Sequence, residues 1–186
     1  MVLRLATWAK QLGDSGKQVK EIFRGDYSKM SPAERDAAAE KLVRDCALTA
    51  AALAPIPLPF SEMLTVTPLQ FMMVRGLGHI YGYRLSPNGV RETLALVGGS
   101  MVGRQLTVAA LKGMLPGLGS LVAIALDSAW TYAMGRTAIV WFRSNQTASP
   151  EELRRVHDEA VAEAEAKMPE EARSALVKAR QGKKGE

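Results

Sequence analysis

The feature that most constrains the fold is a stretch of forty-nine residues, from Leu94 to Phe142, with only four charged side chains. Near its middle, positions 113–120 read GMLPGLGS, and the proline and three glycines there disfavour a continuous helix. The pattern predicts two apolar helices joined as a hairpin. Gly99 and Gly103 form a G-x-x-x-G step that leaves room for another helix to approach closely. We therefore expect a compact all-α domain built around a Gly-rich central hairpin.

Three Ser-Pro pairs, at Ser31, Ser86 and Ser149, predict the starts of the other helices. A serine can cap the helix, and a proline in the first turn loses no intrahelical hydrogen bond. At Ser31 and Ser149 a glutamate three residues later completes a capping box.

The helix from Ser31 is expected to run to about Ala54, where the P-I-P-L-P run at 55–59 ends it. A further helix restarts at Ser61 or Thr67 and stops at Gly82. No stretch alternates apolar and polar residues as a half-buried strand would.

The chain divides into four segments by composition. Residues 1–30 predict a basic amphipathic helix, with six Lys or Arg against three Asp or Glu, and residues 31–146 a helical core domain. Residues 150–180 are rich in Glu, Ala, Lys and Arg, and predict a separable charged helical appendage divided near Pro169. Residues 181–186 are expected to be a disordered tail.

Compartment and membrane topology follow from a few features. The single cysteine, Cys46, predicts a reducing compartment and a buried side chain, and no secretory signal precedes it. The longest uncharged runs, 46–61 and 113–126, are shorter than the roughly 18 residues of a membrane span and contain prolines. A buried hairpin in a cytoplasmic protein is favoured over membrane insertion, with attachment to the inner membrane surface as a further alternative.

The sequence predicts no catalytic, cofactor or metal site. His79 and His157 lie far apart and lack partners at metal-ligand spacing. Residues 98–105 read GGSMVGRQ, which lacks the Lys and Ser or Thr of a phosphate-binding loop. Basic residues are scattered without interleaved aromatic residues, so nucleic acid is not an expected partner.

Several polar residues stand inside apolar helices, and a buried charge needs a partner. Asp127 is expected to pair with Arg104 or Arg136, either to set the helix register or as part of a polar interaction seam. Together with apolar and small residues, they make up the candidate interaction residues: Trp8, Leu12, Gly99, Gly103, Arg104, Asp127, Arg136 and Trp141.

Residues 47–142 resemble a known family. The proline run, the Thr67, Pro68 and Gln70 sequence, the LPGLG turn and the Gly135-Arg136 pair are similar to the YcjF-like uncharacterised helical domain, which in bacteria often follows an Era-like GTPase domain. The resemblance implies an all-helical, often membrane-proximal accessory domain with no established catalytic residues to carry over. Because the sequence carries no GTPase motif, a GTPase partner is expected to be encoded separately.

Two functions are consistent with these features. The first is a non-enzymatic interaction or assembly protein that binds a partner protein or forms a homo-oligomer, since the apolar surface of the hairpin exceeds what one small domain readily covers. The second is a peripheral membrane-surface module, anchored on anionic lipid by the basic N-terminal helix and the apolar hairpin.

Overall fold

The computed structural model describes residues 21–53, 61–98, 118–170, 172–174 and 176–177. The main helices in these ranges are α1 (Pro32–Leu53), α2 (Ser61–Ile80), α3 (Pro87–Val97), α4 (Leu118–Arg143) and α5 (Pro150–Ala166), and residues 21–24, 170, 172–174 and 176–177 are helical as well. The described residues form no strand, which confirms the all-α prediction. Residues 99–117 lie outside the described part, so the central hairpin stays a prediction.

All three Ser-Pro pairs begin helices. The Glu34 amide donates to Ser31 Oγ at 3.3 Å while the Ser31 amide donates to Glu34 Oε2 at 2.8 Å, which is the predicted capping box. Ser86 Oγ accepts from the Gly89 amide and Ser149 Oγ from the Glu152 amide, both at 3.1 Å. Each proline therefore occupies the first turn, where its missing donor is harmless.

Helix α2 uses the first of its two predicted starts. It begins at Ser61, so Pro68 lies inside the helix rather than in its first turn. Its end agrees with the prediction, because Gly82 adopts a φ of 88°, a left-handed conformation that glycine takes without strain. The chain then reverses and enters α3 at Pro87.

The first core cluster joins α1, α2, α3 and the second half of α4. Its large buried side chains are Val43, Met73, Val74, Leu77, Ile80, Val90, Met134, Ile139 and Phe142. Helices α1 and α4 approach closely at Gly135, where a Cβ added to the glycine would lie only 2.5 Å from Val43 Cγ2. Glycine at that position is thus required by the packing of the two helices.

The second core cluster joins the first half of α4 to the chain after α5. Its buried members are Val122, Ala129, Met168, Ala172 and Leu176. Helix α5 itself buries Leu153, His157 and Ala160. Helical residues resume at Glu170 beyond Pro169, as the sequence predicts.

None of the helices in the described ranges has the length and apolar character required to cross a bilayer. Helix α4 is the longest, at 26 residues, and it contains Asp127 and Arg136.

Candidate functional site

A groove of about 890 Å³ that is open to solvent lies between three segments of the described structure. Helix α4 forms its floor from Ile124 to Arg136. One wall is α1 from Glu40 to Ala51, and the other runs from Glu163 at the end of α5 to Ala172. At a rise of 1.5 Å per residue the α1 wall is about 16 Å long. We call this feature the α1/α4 groove.

Small side chains lie on every side of the groove. Alanines lie on the floor and on both walls: Ala47, Ala51, Ala125, Ala129, Ala164 and Ala172. Leu48 projects beside them and is 68% exposed, the highest exposure among the large apolar side chains of the described residues. Small residues let an opposing chain approach the helix backbones closely. The groove therefore offers an apolar surface that an opposing element can reach.

Charged side chains gather at one end of the groove. Helices α1 and α4 run antiparallel, since Arg136 on α4 pairs with Glu40 on α1 while Arg143, later on α4, pairs with Asp36, earlier on α1. This arrangement places Glu40 and Arg44, early in the α1 wall, beside Arg136, late in α4. Glu163 joins them, because the Tyr132 hydroxyl donates to its Oε1 at 3.5 Å. The groove thus has a polar end and an apolar end.

The polar end carries a net positive charge. Glu40 forms ion pairs with Arg136 and with Arg44, and its distance from Arg44 is 3.8 Å. Glu163 forms an ion pair with Lys167 at 2.6 Å. The Lys167 ammonium, through its hydrogen bond, is the main cause that lowers the pKa of Glu163. Three cations face two carboxylates, so the end has a charge of +1 at neutral pH.

The predicted interaction residues fall in different places. Trp8, Leu12, Gly99, Gly103 and Arg104 lie outside the described residues. Among the others, Arg136 lies at the polar end of the groove, Asp127 is fully buried in α4, and the half-buried Trp141 packs against the first core cluster. The structure therefore brings one predicted residue, Arg136, into the candidate site.

The pairing of Arg136 differs from the sequence interpretation. Asp127 and Arg136 are nine residues apart on one helix, which separates them by about 13 Å along the axis. Arg136 instead pairs with Glu40 on the neighbouring helix. Because Glu40 and Arg136 are 96 residues apart in the chain, no local pattern indicates their contact.

Leu48 and the alanines around it are the site residues that sequence reasoning did not identify. In α1 the buried stripe includes Ala39, Leu42, Val43, Cys46 and Ala50. Leu48 lies nine residues from Ala39, about 180° around the helix. A large apolar side chain on the side opposite the buried stripe was the available signal.

A smaller cavity of about 210 Å³ lies on another face of α1, beside Cys46. Burial raises the pKa of the Cys46 thiol to about 12, and the neighbouring Asp45 carboxylate contributes to the rise. The thiol is therefore protonated at neutral pH and is a poor nucleophile. Cys46 acts here as a small core side chain, as the sequence predicts.

The two histidines occupy separate structural positions. His79 Nε2 lies 3.1 Å from the carbonyl oxygen of Gly25 and ties the segment before α1 to the end of α2. His157 is buried on α5, with its ring 4.7 Å from that of Trp130. Within the described ranges, no three His, Cys, Asp or Glu side chains are grouped to hold a metal ion.

Fold and site together define an all-helical domain with a solvent-open apolar groove. A family model described as "Domain of unknown function (DUF697)" matches residues 21–166. The chain therefore belongs to the DUF697 family, the YcjF-like domain often fused to GTPase domains, and this confirms the resemblance seen in the sequence.

A relative of known name is magnetosome membrane protein 22 of Magnetospirillum gryphiswaldense. It is 29% identical over 112 residues, which cover 56% of this chain and 57% of the relative. The match thus spans little more than half the length of that protein. No solved structure matches the chain.

Proposed function

We propose that this chain is a non-enzymatic helical interaction protein that binds a partner protein, such as a separately encoded GTPase, or a second copy of itself. The observation that carries the proposal is the α1/α4 groove, with its exposed Leu48 and its alanine-lined floor and walls. Apolar surface of this kind is characteristic of protein interaction sites. The family's frequent fusion to GTPase domains supports a GTPase as partner.

Affinity capture with the intact chain tests the proposal. Leu48→Glu places a charge in the groove at an exposed position, so we expect it to remove the captured partner without unfolding the protein. Leu96→Glu is the matched control, because Leu96 is an exposed leucine on α3, outside the groove. A partner retained equally by both variants would assign binding to another surface.

Self-association is tested by light scattering during size-exclusion chromatography. A closed symmetric dimer is the expected oligomer, since such dimers are the commonest homo-oligomers. A mass near 20.1 kDa across micromolar concentrations would exclude self-association and leave a different protein as the partner.

A peripheral membrane-surface module is the second candidate function. It is favoured by the basic amphipathic sequence of residues 1–30 and by the relative that is named a membrane protein. In this case the chain lies in the cytoplasm against the inner membrane. Electrostatic attachment weakens with salt, so a high-salt wash of sedimented membranes should release the protein. A chain found in the soluble fraction before the wash would contradict this function.

A further inference from the structure

We infer that the occupant of the α1/α4 groove is a single amphipathic helix of a partner protein, about three turns long, with acidic residues at the end that meets Arg44, Arg136 and Lys167. The inference rests on the proposed function and specifies the kind of partner element that the groove binds. Shape, charge and the composition of the remaining surface support it.

The length of the groove suits a short helix. Its α1 wall is about 16 Å long, which is the length of three helical turns. The floor helix and the two walls supply three sides of a helical bundle. A helix laid between the walls would complete that bundle, with alanines allowing an interaxial distance of about 8 Å. Helix-in-groove binding is an established mode of peptide recognition.

The charge at the polar end determines which way the bound helix lies and which charge it carries at that end. Glu40 and Glu163 neutralise two of the three cations there, which leaves one positive charge for the partner. An acidic residue at the matching end of the incoming helix complements that charge, whereas a lysine there would be repelled.

None of the described helices of this chain has the surface that would let a second copy occupy the groove. Among the described residues, the exposed large apolar side chains are Met30, Leu48, Leu96 and Val177, each on a different segment. No described helix therefore presents an apolar stripe to a second copy. The N-terminal sequence has an apolar stripe, but Arg4, Lys10 and Lys17 give it the wrong charge for the polar end. These two observations favour a helix from another protein.

The test uses a fluorescein-labelled, alanine-based helical peptide with leucines spaced three and four residues apart and glutamates in its last turn. Binding to the intact chain is followed by fluorescence anisotropy. Leu48→Glu should weaken it about tenfold or more, because a carboxylate then faces the leucine stripe. Ser128→Trp, which fills the floor from a half-buried position, should have the same effect. Leu96→Glu is the control outside the groove and should change the affinity less than about twofold.

A charge exchange tests the orientation. A second peptide carries lysines in place of the glutamates and should bind the unmodified chain about fivefold more weakly. Lys167→Glu changes the polar end from +1 to −1, and Lys167 is an exposed position. This variant should reverse the order of the two peptides. Circular dichroism of every variant checks that the fold is retained.

Several results would overturn the inference. It fails if Leu48→Glu and Leu96→Glu bind the acidic peptide equally, or if Lys167→Glu leaves the order of the peptides unchanged. It also fails if cis-parinaric acid occupies the groove and competes with the peptide, which would identify an acyl chain as the occupant. A dimer that Leu48→Glu dissociates would identify a second copy. The proposed function has a separate readout, since capture by the intact chain does not use the peptide.

Discussion

At the scale of single residues, Gly135 is a position where packing leaves little room for a side chain. A Cβ there would lie 2.5 Å from Val43 Cγ2 and 2.6 Å from Cγ1, closer than side chains approach without displacement. Valine is branched at Cβ and has little rotamer freedom to move away. Gly89, in the first turn of α3, is the contrasting case, because its nearest neighbour would be Ser86 Oγ at 3.5 Å.

We predict that Gly135→Ala lowers the free energy of unfolding by about 1–3 kcal/mol, the usual cost of overpacking a core. Gly89→Ala should leave it unchanged or raise it by up to about 1 kcal/mol, since alanine reduces the entropy of the unfolded chain. Urea denaturation of both variants measures the difference. Equal midpoints for the two variants would show that α1 and α4 are not in close contact at Gly135.

His157 is a second residue whose surroundings have a measurable effect on the stability of the fold. Burial lowers its pKa from the ordinary value of 6.5, and the Asp158 carboxylate, 3.8 Å from Nδ1, partly opposes the shift. Just below pH 6.5 the unfolded chain therefore binds more protons than the folded one. Stability rises with pH wherever the unfolded state binds more protons. The contribution of neutral His157 is complete above pH 6.5 and is lost as the pH falls toward the lowered pKa.

We predict that His157→Phe, which keeps an aromatic ring beside Trp130, flattens the loss of stability as the pH falls below about 6.5. Asp158→Asn should steepen that loss, because it removes the charge that opposes the shift. Unfolding free energies from urea titrations across this pH range check both variants. An unchanged acid slope in His157→Phe would mean that His157 does not titrate differently on unfolding.

At the scale of secondary-structure elements, the two core clusters stabilise different parts of the fold. The first core cluster contains no residue beyond Phe142, so α1 to α4 can bury it without the C-terminal helices. The second core cluster depends on residues 164–176. Helix α5 adds Leu153, which is 2% exposed, and covers the ring of Trp130 through His157.

We predict that deleting residues 150–186 leaves a folded core that still unfolds cooperatively, at a lower temperature. Leu153 and Leu176 alone contribute about 1.5–3 kcal/mol each through burial, and the deletion removes both. Thermal unfolding followed by circular dichroism measures the midpoint and the sharpness of the transition. A truncated chain without a cooperative transition would show that α5 belongs to the core rather than to a separable appendage.

The helix boundaries show how much of the fold can be predicted from the sequence. Starts at Ser31, Ser86 and Ser149 are predictable because capping joins groups only three residues apart. The start of α2 was ambiguous, since Thr67 and Pro68 also form a capping pattern, and the structure places them inside the helix. Local chemistry identifies possible boundaries, and the rest of the fold selects among them.

Contacts distant in sequence were not predictable in the same way. The ion pair of Glu40 with Arg136 and the packing of Val122 with the residues after Pro169 depend on how whole helices are arranged. The α1/α4 groove is made by three such segments, so its composition is not visible in any one of them. Only Arg136 was singled out from the sequence, as a polar residue in an apolar helix.

At the scale of the whole molecule, we propose that one face of this DUF697 domain is a protein interaction surface. The face consists of the α1/α4 groove, with Leu48 at its apolar part and a net positive charge at its other end. The opposite expectation is that the groove has no partner and that binding, if any, uses the basic N-terminal sequence on a membrane. These alternatives differ in what lies next to Leu48 in the cell.

Site-specific photo-crosslinking measures that neighbour directly. Benzoylphenylalanine is placed at position 48 in the groove, or at position 96 on α3 as the matched control, in the intact chain expressed in its own cells. If the groove binds a protein, irradiation should give a discrete covalent protein adduct at position 48 and none at position 96. Protein adducts formed equally at positions 48 and 96 would contradict an interaction site in the groove. Adducts at position 48 that contain lipid and no protein would contradict it as well.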